Sequence, residues 1–236
     1  MTEEIWLGPA MPTILLGFVS DKTTGRKLRL FAVAVCRVLE RAVSEDCLID
    51  AVQDCEQFAD GFLQKEDLAH TREMLRRSKR DYLALKFGIV DQGFENPHSR
   101  GRLPKAANDW ISIWNIHESC IAPEPRNAAR DVLWRSISTI RTMPIRDVST
   151  SVTGTILRDI FGNPFRPIAI DPRWLTSTVV DLASAIYQEK AFDRMPILAD
   201  ALMDAGCDNE EIIAHCRGEG PHVRGCWAVD LLLGKS

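Results

Sequence analysis

Residues 28–43 read LRLFAVAVCRVLERAV. Leu28, Phe31, Val35, Val38, Leu39 and Ala42 recur at spacings of three and four, which marks a helix turning one wide face inward. Val33 and Ala34 carry apolar character further round, so the pattern predicts a central helix. Downstream, Ser44 is placed to cap a second helix in which Leu48, Ala51, Val52, Cys55, Phe58 and Ala59 repeat the spacing until Gly61 stops it. These two are expected to pack as a hairpin. Upstream, Pro12 suits the first turn of a short helix ending near Val19.

The same periodicity recurs along the chain. A long helix starts near Gln64, with Leu68, Leu75, Tyr82 and Leu85 inward. Another runs over residues 106–117 with Trp110, Ile113, Trp114 and His117 on one stripe, and a third over residues 127–141. Between the first two of these, residues 88–103 are dense in glycine and proline and read as a loop. A short helix over residues 155–161 is followed by GNPFRPIAIDPRW, whose three prolines forbid continuous helix and predict an extended strap anchored by Phe165, Ile168 and Trp174. Helices after Asp171 and Asp193 follow, then one over residues 208–216, capped at Asp208 and closed by Gly218, and a last one over residues 221–233. No strand alternation and no internal repeat is found. The fold class read from this is all-α: an irregular multi-helix bundle with a proline-rich extended strap and a C-terminal helix-turn-helix. One core over residues 1–236 is favoured, with 1–87 and 104–236 as its natural sub-division.

Bulk properties narrow the function classes. Apolar residues make up 45% of the 236 residues and charged ones 26%, the balance of a globular protein. The net charge of −4 offers no global basic field for nucleic acid. No apolar run approaches the roughly 20 residues of a membrane span, and the N-terminus lacks a secretory pattern, so a cytoplasmic location without membrane association is expected. Seven cysteines at irregular spacing fit reduced thiols.

Two regions carry chemistry. Arg72, Arg76, Arg77 and Arg80 cluster on the long helix and are candidate phosphate contacts for a nucleic-acid-associated regulator. Glu66, Asp67, Glu73 and Asp81 dilute the cluster, and a solvated face is the preferred reading. The second region is residues 208–236, DNEEIIAHCRGEGPHVRGCWAVDLLLGKS, which packs two of the five histidines and two of the seven cysteines around a glycine-rich turn. His215, His222, Cys226 and Cys207 are candidate zinc ligands, with His222 and Cys226 expected four apart on one helical face. Adjacent His215 and Cys216 point to different sides of a helix, and there is no C-x-x-C knuckle, so a satisfied helix-turn-helix is preferred to a metal site. A thiol nucleophile at Cys216 or Cys226, served by a histidine and Asp230, is a further alternative. Asp230 lies on the apolar face of the last helix, and a buried aspartate needs a cation; Arg217, Arg224 and Arg158 are the candidates. Gly218, Gly220 and Gly225, with Arg217 and Arg224 nearby, are also read as a candidate anion-binding turn at the start of the last helix.

The runs RKLRLFAVAVCR, LRDIFGNPFRP and DRMPILADALMDAGCDNEEIIAHCRGEGPHVRGCWAVDLLLGKS resemble a protein family expanded into many paralogues in planctomycete bacteria. The family usually reads HCRGPGPHVRGCWVVDLLLGK at its end, where this chain has Glu219 and Ala228. Near the start its members tend to carry adjacent cysteines and paired arginines, where this chain has Val35, Cys36, Arg37 and Val38. The resemblance implies a bacterial, intracellular, helical protein and carries over no activity. In related proteins these segments accompany interaction modules. The function expected from all of this is a non-catalytic adaptor-like module with a protein partner. A structural-zinc protein or Cys/His enzyme centred on the C-terminal cluster, and the nucleic-acid regulator, stand as alternatives.

Overall fold

The structure is a computed structural model that describes residues 1–40, 45–89, 103–142 and 150–235. Among the described residues it contains twelve α-helices, two 3-10 turns and no strand, an all-α fold. The helices are α1 (Glu3–Leu7), α2 (Pro12–Val19), α3 (Gly25–Glu40), α4 (Asp46–Ala59), α5 (Lys65–Phe87), α6 (Lys105–Cys120), α7 (Pro125–Thr142), α8 (Thr150–Phe161), α9 (Ser177–Glu189), α10 (Met195–Asp204), α11 (Glu210–Arg217) and α12 (Trp227–Leu232). The expected cap at Ser44, most of the expected loop at 88–103 and its His98 lie outside the described residues. No described helix is long and apolar enough to cross a membrane.

The chain divides into two compact units, residues 1–31 with 151–236, and residues 32–150. The division falls inside α3 and joins the two ends of the chain, unlike the sub-division at 88–103 expected from loop composition. A glycine-rich stretch marks where chain direction changes, whereas unit membership follows which apolar faces meet.

In the first unit, Val179, Ala183, Ile186, Leu198, Leu202, Ile212, Val229 and Leu232 form a buried cluster drawn from α9 to α12. The strap between α8 and α9 is tied at several points. Trp6 Nε1 donates to the carbonyl of Gly162 at 3.0 Å, Asn163 Nδ2 donates to Glu3 at 2.8 Å, and Phe165 stacks on Phe18 with ring centres 5.3 Å apart. Trp174, in a 3-10 turn capped by Asp171, is buried at the strap's end. Arg158 donates to the carbonyls of Trp6 and Gly8, which holds α1 against α8. Thr176 caps α9 through the N–H of Val179, a contact worth about 1 kcal/mol.

Asp230, 1% exposed, pairs with Arg26 through two bonds of 2.7 and 3.1 Å and with Lys27 at 2.9 Å. Its cations therefore come from the start of α3, and the expected partners Arg217, Arg224 and Arg158 are engaged elsewhere. Arg217 binds the exposed Asp200, Arg224 sits over the Tyr187 ring, and Arg158 holds α1. Proximity in sequence favoured the near arginines, but α12 turns its Asp230 face toward α3. Tyr187 completes the group by accepting from Arg26 at 2.6 Å.

In the second unit α4 packs on α5 and α6, and α6 on α7. Cys55 and Cys120, both fully buried, lie 3.5 Å apart across α4 and α6. Tyr82 packs on Trp110 and Trp114. His117 is fully buried, its Nδ1 2.9 Å from the carbonyl of Ile113, and burial pulls its pKa down to about 4.

Candidate metal centre

Three segments of the first unit converge on one point. The first is α8, where Ile156, Leu157 and Ile160 are buried and Asp159 shares their environment at 3% exposure. The second is α11. Its N-cap is Asn209, whose side chain accepts from the N–H groups of Glu211 and Ile212, one residue later than the expected cap at Asp208. With Ile212 and Cys216 turned into the core, His215 is left on the flank nearest α8.

The third segment is residues 218–226, and here the structure corrects the expected helix over 221–233. The helix begins only at Trp227, with Cys226 as its N-cap. Gly220 and Gly225 have φ of 82° and 94°, conformations outside the right-handed helix that glycine tolerates best. A Cβ at Gly225 would also stand 2.9 Å from Leu30 Cδ1, so only glycine lets this loop lie against α3. The N–H of Val223 is given to Asp159 Oδ2 at 2.9 Å instead of to a helical carbonyl. His222 and Cys226 therefore meet through a loop, not along one helical face.

The ligating atoms of Asp159, His215, His222 and Cys226 all lie within 4.8 Å of one another. His222 Nδ1 is 2.8 Å from Asp159 Oδ1, His215 Nε2 is 3.2 Å from the same oxygen, and His215 Nε2 is 3.1 Å from Cys226 Sγ. The outer atoms are held as well. Asp159 Oδ2 is fixed by Val223, and His222 Nε2 lies 3.2 Å from the carbonyl of Gly218. The protonated ring donates Nε2–H to that carbonyl and Nδ1–H to Asp159, and loss of the Nδ1 proton turns that lone pair toward the cluster. The rings of His215 and His222 meet edge to face at 4.8 Å, and Trp227 flanks His215 at the same distance.

Charge is balanced on this point. Burial pushes the Asp159 carboxyl up, but hydrogen bonds and charge from His215 and His222 outweigh it and leave the carboxyl below its ordinary value. For His222 burial works downward, and the bond to and charge of Asp159 overcome it, raising the imidazole. Burial and the Asp159 charge hold the Cys226 thiol well above its ordinary value. An ionised carboxylate and a neutral thiol thus share this point with the two imidazoles.

Of the four residues grouped from the sequence, His215, His222 and Cys226 come together and Cys207 does not. Cys207 is buried in the apolar cluster of α9 to α12, and the fourth donor is Asp159. The sequence held a signal for it, since an aspartate three residues after Ile156 falls on the buried face of α8. Its partners lie 56 or more residues away, so nothing local identified it. The geometry does not assemble the relay expected for a thiol nucleophile. A relay needs acid and thiol at opposite nitrogens of the histidine, yet Asp159 and Cys226 both address Nε2 of His215. Asp230 takes no part, Cys216 and Cys226 are fully buried, and burial lifts the Cys216 thiol to about 12. The glycine-rich anion site is likewise not formed, because the helix it was to head begins at Trp227 and is six residues long.

Comparison with known protein families, with curated proteins and with solved structures gives no match for this chain.

Proposed function

We propose that Asp159, His215, His222 and Cys226 bind one divalent transition metal ion, zinc by ligand chemistry, as a structural staple of a non-catalytic helical interaction module. The observation that carries this is the convergence of two imidazole nitrogens, one carboxylate oxygen and one sulfur on a single point. Zinc takes such mixed nitrogen, sulfur and oxygen sets in a tetrahedron. With bonds of about 2.0–2.3 Å its donor atoms stand roughly 3.3–3.8 Å apart. Three donor separations, 2.8 to 3.2 Å, lie just below that range and none exceeds 4.8 Å, so modest side-chain adjustment admits an ion.

An ion takes the place of the proton that Asp159 and His222 hold between them, and coordination deprotonates the Cys226 thiol outright. Four protein donors fill the tetrahedron and leave no position for substrate, which favours a structural ion over a catalytic one. Both outer atoms already held, at Asp159 Oδ2 and His222 Nε2, fit the supporting shell such sites require.

The test is elemental analysis of protein purified without chelator, with cobalt substitution as a second readout. One zinc per chain is expected, and the cobalt form should show tetrahedral visible bands with a thiolate charge-transfer band. Cys226→Ala and His215→Ala should lose the metal, and Cys207→Ala should keep it. No stoichiometric metal in the wild type after zinc is supplied, or full retention in Cys226→Ala, would overturn the assignment.

A further inference from the structure

The second unit contains a cleft of about 590 Å³ between α5, α6 and the start of α7. Five cationic side chains line it: Arg72, Arg76, Lys79 and Arg80 from α5, at helical spacings that share one face, and Arg135 from α7. Against them stand three carboxylates, Glu73, Glu118 and Asp131, of which Asp131 is paired with Arg130 at 3.2 Å. Three of the cations gather on Glu118. Arg76 Nε is 2.6 Å from it, Lys79 Nζ 3.9 Å and Arg72 Nε 4.0 Å.

Two details separate this arrangement from a solvated helix face. Lys79 is only 5% exposed, with its ammonium on Asn115 at 2.8 Å, so a charge has been built into the wall of the cleft. Arg72 Nε is buried and makes no hydrogen bond. A buried guanidinium N–H without an acceptor costs free energy unless something supplies one.

A second cavity of about 500 Å³ adjoins the first and shares Arg72, Glu73 and Arg76 with it. Its other walls are Phe58, Leu68, Ala69, Ile121 and Pro123, a largely apolar surface, with the exposed Lys65 and Glu124. A cationic cleft and an apolar one, joined across two arginines, match a molecule with an anionic end and a flat apolar end. Arginine serves both ends, since its plane forks phosphate oxygens and stacks on rings.

The geometry points to a binding site for a nucleoside diphosphate, with its phosphates among Arg72, Arg76, Lys79 and Arg135 and its base toward Phe58 and Pro123. Each cavity is of the size small ligands occupy. The cations converge into a concavity, which suits a compact anion better than the backbone of a nucleic-acid strand. The site uses no residue of the metal cluster and stands or falls separately from it.

Calorimetric titration of the whole protein with inorganic pyrophosphate and with ADP, at low and at physiological salt, tests this. Both should bind one to one and weaken with salt, with ADP at least fivefold tighter. The double variant Arg72→Ala/Arg76→Ala should lose at least tenfold in affinity for both. Should that variant fail to fold, Arg76→Ala alone, at a half-exposed position, should lose at least threefold. Glu118→Gln, which removes the carboxylate competing for the cations, should bind pyrophosphate several-fold more tightly. The inference is overturned if neither probe saturates, if binding survives the arginine variants, if ADP is no tighter than pyrophosphate, or if Glu118→Gln weakens binding. A single-stranded RNA oligonucleotide held more tightly than ADP by the same arginines overturns it as well.

Discussion

Removing the metal should unfasten the first unit, and the size of the effect follows from which residues the ion joins. Asp159 and His222 are 63 residues apart in sequence. A cross-link closing a loop of that length removes about 4 kcal/mol of chain entropy from the unfolded state, and a metal clip acts by the same logic as a disulfide. In a chain of this size about 1 kcal/mol moves the melting temperature by roughly 2–4 °C, so chelation should lower it by about 10 °C. Scanning calorimetry on the zinc-loaded protein, on the same sample after chelator and dialysis, and after zinc is returned, measures this directly. The shift should reverse with zinc and be absent in Cys226→Ser and Asp159→Asn, which melt near the metal-free wild type. Equal melting temperatures for loaded and stripped protein, with metal content verified in each, would refute the staple. A full chelator-dependent drop in Cys226→Ser would refute this ligand set.

The buried His117 makes stability depend on pH. Burial lowers its folded pKa to about 4 from an ordinary 6.5. The unfolded chain therefore binds a proton that the folded one refuses, and stability is lost as pH falls through that window, by about 3 kcal/mol in all. Urea denaturation at pH 7 and pH 4 should show His117→Leu losing less than the wild type by about that amount; equal losses would contradict it. At Asp230, substitution by Asn leaves Arg26 and Lys27 without their carboxylate in a site where Asp230 is 1% exposed. A cost of about 3–5 kcal/mol is expected. Arg217→Ala breaks only a solvated pair and should cost under about 0.5 kcal/mol in the same assay. Similar costs for the two would return Arg217 to the role that its position in the sequence suggested.

Helical periodicity alone placed nearly every element, because the pattern that buries a helix face is written within the helix itself. The strap was legible for the same reason, since Pro164, Pro167 and Pro172 restrict their own backbone wherever they sit. Local signals failed where a local and a tertiary demand met. Residues 221–226 have enough apolar and helix-compatible character to extend the last helix, yet the Val223 N–H goes to Asp159 and Gly225 lies against Leu30. Asp208 is the cap its position suggests, yet Asn209 one residue later caps α11.

The sequence by itself determined that this is an all-α protein and that its chemistry is concentrated in residues 215–226. It also assembled the basic row on α5. Only the tertiary structure decided which of those groups meet. It brought Asp159 from α8 to complete the His215, His222 and Cys226 set, sent Cys207 into the core and gave Asp230 to Arg26 and Lys27. It also folded the basic row of α5 against Glu118 to form a cleft. The physical reason is one of range. Helix formation depends on neighbours three and four residues apart, whereas a ligand set or an ion pair depends on which distant helix face arrives, and that is settled by how the apolar faces pack.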